Sequence, residues 1–341
     1  MQMRPSPQTE PSIMIKPPPK DENPAWLRLP PGLHFRRVGK GPPGFSAFII
    51  RGKPGPVAVI NGATHGDEYE GPTVLRELVR LINPRDLRGT LVIIPVLHEE
   101  AFFAGTRGHP KDGSNLARVF PGDPRGNQAE RVAHLFLNQI LRHADYYLDL
   151  HSGGVLHDLL PWTGYIITGR SEIDRVQAAM AACFDDFWCW GSPYNPGRTI
   201  SAAVDNGIPA VYTENRGGAG VHPDDARDLH RGLRNFLLRF GFLKGATPRL
   251  KKQSIRLTTD RHEVTIQLHH PSPAGGLFIS AVAVGDKVRK RALVGTVYPL
   301  GGKTGIPVRA THPGTVISLR RKRSVATGDA LASLVVLPRP R

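Results

Sequence analysis

The segment that most constrains this chain is Val57-Ala-Val-Ile-Asn-Gly-Ala-Thr64, followed at once by His65-Gly-Asp-Glu68. A short apolar, β-branched run predicts a buried strand, and the glycine-containing turn after it carries polar residues. In PTVLRELVRLI, Val74, Leu75, Leu78, Val79 and Ile82 fall on one helical stripe. The same alternation recurs. FRRVGK and FSAFIIRGK read as opening strands, and TLVIIPVL at 90–97 as a central one. QAERVAHLFLNQILRH at 128–143 reads as an amphipathic helix, and YYLDLHSG as a strand ending at a histidine. A helix near 172–187, a strand at 208–215 (IPAVYTEN) and a long helix at 224–243 complete the series. This pattern predicts an α/β fold, a mostly mixed central sheet flanked by helices. Polar residues gather at the strand ends, where open α/β sheets place their ligand sites.

After about residue 250 the long helices stop. Short strands follow: IRLTTD, HEVTIQLHH, GGLFISAVAV, ALVGTVYPL, IPVRATHPGTVISLR and ALASLVVLP. Gly285-Asp286 and Gly328-Asp329 repeat a turn setting between them. The expected organisation is a proline-rich, flexible extension over 1–25, a catalytic domain over 26–250 and a small all-β domain over 255–341. No apolar stretch approaches the ~18 residues a membrane span needs. The N-terminus has no signal-peptide core. Two cysteines, Cys183 and Cys189, make no disulfide framework, and a cytoplasmic setting is expected. The net charge of +16 raises a nucleic-acid reading. The basic runs at Arg249–Lys252 and Arg320–Arg323 are short and lie outside the chemical motifs, so no specific nucleic-acid partner is expected.

His65 and Glu68, three apart in a turn that leads into a helix, can face one point. Imidazole and carboxylate suit a zinc ion, and a catalytic zinc takes three protein ligands and keeps one position open. His151 is well placed to be the third, with Asp149 on the same strand face as a partner for a ligand histidine. Hydrolysis also requires a carboxylate to move protons, for which Glu214 ends an apolar strand. A fixed cation must face the developing oxyanion. Arg107 and Arg118 bracket the segment GHPKDGSN. Each piece has a plainer reading: a chance HxxE, a core histidine, a strand-terminal surface glutamate, surface arginines. His98, His109, His134 and His157 are weaker metal candidates.

Taken together, the motifs resemble the succinylglutamate desuccinylase and aspartoacylase family, a branch of the zinc carboxypeptidase-like fold. The similarity spans about residues 45–341 and rests on HGDE, on PVLHEEAFFAGTRGHPKDGSNLARVFPG, on LDLHSGG and on the strand ending Tyr212-Thr213-Glu214. The resemblance implies one zinc per subunit on His65, Glu68 and His151, with Glu214 as general base and acid. It implies that Arg107 stabilises the oxyanion and that Arg118 holds a substrate carboxylate. In Asn115-Leu116-Ala117-Arg118, Ala117 replaces the asparagine of the family pattern, so one hydrogen bond to that carboxylate is missing. Asn115, Arg198 or Arg216 would then compensate. The implied activity is hydrolysis of the amide of a small N-acylated amino acid or diamino acid. A carboxypeptidase acting on short peptides and a non-catalytic metabolite-binding protein on the same scaffold are the alternatives. The expected partner is the small N-acylated compound, with no membrane involved. A homo-oligomer is compatible with the C-terminal domain.

Overall fold

The computed structural model describes residues 24–260, 263, 265, 266 and 269–338. The expected N-terminal extension lies almost wholly outside these residues. So does much of the expected strand at 262–270.

The chain opens with β1 (Gly32–Val38), β2 (Phe45–Arg51) and β3 (Lys53–Gly62), followed by α1 (Glu70–Leu81) and β4 (Arg88–Ile94). Next come α2 (Glu99–Ala104), α3 (Gln128–Gln139), β5 (Tyr146–Ser152), β6 (His157–Leu159) and β7 (Trp162–Ile166). Then follow α4 (Ser171–Ala181), β8 (Trp188–Ser192), α5 (Thr199–Asp205), β9 (Ala210–Asn215), α6 (Pro223–Arg239) and β10 (Ile255–Leu257). A nine-stranded mixed sheet forms in the order β1-β2-β4-β3-β5-β9-β7-β8-β10. Its centre, β4-β3-β5-β9, is parallel. Side chains of a strand alternate between faces, so β3 divides its own apolar residues. Val57 and Val59 pack with α3 and α5, whereas Ala58 and Ile60 pack with α1, α4 and α6. Both faces are thus covered, as the near-continuous apolar runs of the central strands require.

The remaining strands are β11 (Gly276–Ser280), β12 (Lys287–Val288), β13 (Leu293–Pro299), β14 (Ile306–Arg309), β15 (Gly314–Arg320), β16 (Ser324–Val325) and β17 (Ala332–Val335). They form two antiparallel sheets, β14-β13-β11-β16 and β12-β15-β17. The two turn settings noted in the sequence have matching backbones. Gly285 and Gly328 take φ of +93° and +89°. Asp286 accepts from the Ala283 amide at 2.8 Å, and Asp329 from the Ala326 amide at 2.9 Å. The C-terminal strands are tied to the rest through β6, which pairs with β15. Trp162, Trp188 and Trp190 pack there with Ile317 and Val335.

Two expectations need correction. Ile255–Leu257, read as the first strand of the small β domain, pairs in parallel with β8 and extends the large sheet. The last long helix stops at Arg239, because the chain turns at Gly241 with φ +75° and the Phe242 ring is buried under the sheet. The strands β7 and β8 had no counterpart in the sequence reading.

Candidate metal centre and substrate cavity

Backbone register brings the polar residues together. In β5 and β9, His151 is opposite Glu214 and Asp149 is opposite Tyr212. Asn61 of β3 is level with Asp149. Because alternate residues share a face, Asp149 and His151 point the same way at the ends of parallel strands. The turn after β3 carries His65 and Glu68 to the same place.

His65 Nδ1 lies 2.7 Å from Glu68 Oε1, and His151 Nδ1 lies 2.9 Å from Glu68 Oε2. The two Nδ1 atoms are 3.2 Å apart. Among the described residues these three side chains are the one group whose donor atoms all lie close enough, within 4.8 Å of one another, to share an ion. The opposite ring nitrogens are held elsewhere. His65 Nε2 faces Asn115 Oδ1 at 3.1 Å, and His151 Nε2 faces Asp149 Oδ2 at 2.9 Å. An acceptor at Nε2 keeps the proton there and leaves the Nδ1 lone pair free for a metal. The donor set and its outer partners therefore fit zinc. His98, His109, His134 and His157 belong to no such group.

Asp149 is wholly buried. Its Oδ1 accepts from Asn61 Nδ2 and from Thr64 Oγ1, each at 2.9 Å, and its Oδ2 accepts from Thr199 Oγ1. Burial opposes ionisation of Glu68, but His65 and His151 overcome it and hold its carboxyl below the usual range. His65 is lowered to about 4, first by burial and then by Arg107. Burial pulls His151 down, yet Asp149 and Glu68 together carry it well above its ordinary value. Glu214 is raised to about 8, chiefly by burial, against the opposing pull of His151.

One cavity joins this centre to the outside. His65, His151, Glu214 and Arg107 line it, together with Arg118, Arg198, Trp162 and Trp190 among others. Arg107 Nη1 also donates to Glu68 Oε1 at 3.2 Å. Ala117 reaches the cavity wall, while Arg118 donates to the Ala117 carbonyl at 2.7 Å. Neither Arg118 nor Arg198 has a carboxylate partner among the described residues. Two predicted substrate contacts lie elsewhere. Asn115 holds His65 and accepts from the Ala117 amide at 2.9 Å, and it is outside the cavity lining. Arg216 is paired with Asp225 at the start of α6, at 3.4 Å.

Several supporting residues had no sequence signal. Asp67 and Glu70, inside the same motif as the ligands, are buried acids that hold backbone. Asp67 accepts from the Val155 amide at 3.1 Å, and Glu70 from the Gly217 amide at 2.7 Å. They fasten the loops that leave β5 and β9. Those loops meet glycine on glycine: a Cβ on Gly217 would lie 2.6 Å from Gly153.

A model of the succinylglutamate desuccinylase/aspartoacylase catalytic domain matches residues 54–240. The N-alpha-acetyl-L-2,4-diaminobutyric acid deacetylase of Halomonas elongata is 32% identical over 294 residues, 83% of either chain. Among solved structures, a succinylglutamate desuccinylase from Silicibacter sp. TM1040 superposes with TM-score 0.83 at 28% identity, over 91% of this chain and 96% of that one. The product-bound ectoine utilization protein EutE (DoeB) from Ruegeria pomeroyi gives 0.82 at 30% identity, over 90% and 96%. A metallo-carboxypeptidase from Burkholderia cenocepacia shares the fold alone, with TM-score 0.51 at 16% identity over 64% of this chain and 66% of its own.

Proposed function

Because the chain belongs to the succinylglutamate desuccinylase/aspartoacylase family, we propose that it is a zinc-dependent amidohydrolase that removes the acyl group from a small N-acylated amino acid or diamino acid. The observation that carries this reading is the meeting of His65, Glu68 and His151 with Glu214 and Arg107 around one cavity. The named activity of the Halomonas relative favours an acetylated diamino acid as substrate.

His65, Glu68 and His151 would hold the ion, with Asn115 and Asp149 fixing the two imidazoles. Bound there, zinc would lower the pKa of water and polarise the scissile carbonyl. Glu214 takes a proton from the attacking water as the new C–O bond forms. It then delivers that proton to the amide nitrogen as the C–N bond breaks, releasing a carboxylic acid and an amine. Arg107 donates to the carbonyl oxygen as negative charge develops on it. Arg118 and Arg198, both without a carboxylate partner among the described residues, bind the substrate's carboxylate. The catalytic unit is the large sheet through β10, and the strands after it form a small β domain behind the tryptophan wall. Among the described residues no helix is long and apolar enough to cross a membrane. Cys183 and Cys189 are buried and unbridged, which fits a cytoplasmic enzyme.

The test is amine release by zinc-loaded protein from a panel of N-acyl amino acids, N-acyl diamino acids and dipeptides, with His65→Ala as control. Release from the acylated single residues, lost in the control, is expected. Cleavage of dipeptides alone would move the assignment to a peptidase. Silence across the panel would remove the deacylase reading.

A further inference from the structure

Helix α2 is built against the turn that carries two of the metal ligands. The His98 amide donates to the Ala63 carbonyl at 3.0 Å. A Cβ on Gly66, the residue after His65, would lie 2.0 Å from the backbone of Ala101, so only glycine lets α2 pack this close. The loop that follows α2 returns two groups to the same centre. Arg107 Nη1 reaches Glu68 Oε1 at 3.2 Å, and Asn115 Oδ1 reaches His65 Nε2 at 3.1 Å. Neither residue belongs to a helix or strand, so their placement depends on what holds the loop.

Between them in sequence is His109, 2% exposed, and each of its polar groups is engaged. Its amide donates to the Ser114 carbonyl at 2.9 Å, and its carbonyl accepts from the Gly113 amide at 2.8 Å. These bonds close the loop on itself one residue before Asn115. Nδ1 accepts from the Lys111 amide at 3.3 Å. The ring proton is therefore on Nε2, where it donates to Glu100 Oε2 in the first turn of α2 at 3.1 Å. Asp112 Oδ1, 3.6 Å from Nδ1, accepts from the Ser114 amide. The ring also stacks on that of His98, with centroids 5.9 Å apart and planes 24° apart. Burial, with His109 adding to it, lowers His98 to about 4, so at neutral pH no charge on His98 opposes the stack. One buried ring thus joins the loop to α2, and α2 is packed on the ligand turn.

We propose that His109 is a positioning residue: it fastens the loop to α2 and so sets Arg107 against the scissile carbonyl and Asn115 against His65. This rests on the deacylase reading.

His109→Phe keeps a ring on His98 and deletes both nitrogens. Glu100→Ala removes the acceptor, and Glu100→Gln leaves one. Amine release from the best substrate of the N-acyl panel is followed for each. Arg107 acts on charge that develops only in the transition state. The first two variants are therefore expected to lose about tenfold in kcat, with KM nearly unchanged. Glu100→Gln is expected to stay within about twofold of wild type, because an acceptor remains. The double variant His109→Phe/Glu100→Ala removes the same bond from both sides and is expected to lose no more than His109→Phe alone. Unchanged kcat in His109→Phe, a loss carried by KM, losses that multiply in the double variant, or a Glu100→Gln protein as slow as Glu100→Ala would each overturn the proposal. A lowered melting temperature with kcat intact would mark a merely structural ring. Competition for zinc against a chromophoric chelator supplies a readout without turnover. Asn115 keeps the proton of His65 on Nε2, so His109→Phe is expected to weaken zinc binding about tenfold. Equal affinity counts against the proposal. Should wild type hydrolyse nothing on the panel, the deacylase reading fails, and the zinc result still decides whether His109 sets Asn115.

Discussion

Asp149→Asn is the substitution that most directly probes how the metal centre is held. The change is nearly isosteric, and the site is wholly buried. One oxygen of Asp149 accepts from Asn61 and Thr64, and the other faces His151 Nε2 and Thr199 Oγ1. An asparagine can satisfy one side only. Its oxygen is best placed toward Asn61 and Thr64, where two donors converge. Its NH2 group then faces the Nε2–H of His151, donor against donor. His151 escapes by moving its proton to Nδ1. That atom lies 2.9 Å from Glu68 Oε2 and 3.2 Å from the Nδ1 of His65, where the ion is expected. The lone pair intended for the metal is lost, so the effect belongs at the upper end of the 10–100-fold range for outer partners of a ligand histidine, about 2–3 kcal/mol. Competition for zinc against a chromophoric chelator measures it, with circular dichroism as a check on folding. A folded Asp149→Asn protein that binds zinc within about twofold of wild type would refute the tautomer argument.

Other outcomes follow from the same geometry. Glu214→Gln is expected to keep its zinc, counted by elemental analysis, and to lose about 10²–10⁴-fold in kcat. Glu70→Ala leaves the buried Gly217 amide unpaired and should cost about 1–3 kcal/mol in denaturant unfolding, with Glu70→Gln recovering most of it. Gly217→Ala forces a side chain into φ +79° and onto Gly153, so a lower melting temperature and a lower kcat are expected together. His157 is lowered from 6.5 to about 4, first by burial and then by Arg320. The unfolded chain therefore binds a proton that the folded one refuses. The stability from keeping His157 neutral is complete above pH 6.5 and is lost as the pH falls toward 4, by about 3 kcal/mol at most. His157→Gln should flatten acid unfolding in that window, and an unchanged profile would count against it.

The centre of the fold was legible because its strands are long apolar runs that end in reactive residues. His65, Glu68, His151 and Glu214 each sit where such a run stops, and register then aligns them. What stayed hidden depended on partners distant in sequence. Asn115 has the chemistry of a substrate contact, yet its oxygen is committed to His65, fifty positions away. Arg216 lies two residues after Glu214, but Asp225 draws its guanidinium aside. Asp67 and Glu70 lie within the ligand motif itself, and nothing local shows that they hold the Val155 and Gly217 amides. The strands β7 and β8 are five residues each and rich in tryptophan, so they lack both the length and the alternation that mark a strand. The cavity's aromatic wall was missed along with them.

That wall has a second owner. Trp162 and Trp190 line the cavity, and together with Trp188 they pack with Ile317 of β15 and Val335 of β17. A conservative change at Ile317 or Val335, remote from any reacting atom, shifts the surface against which a substrate rests. Selectivity in this protein can therefore drift through the packing of its last eighty residues while the metal ligands stay fixed. Swapping the C-terminal strands between relatives would transplant substrate preference along with them.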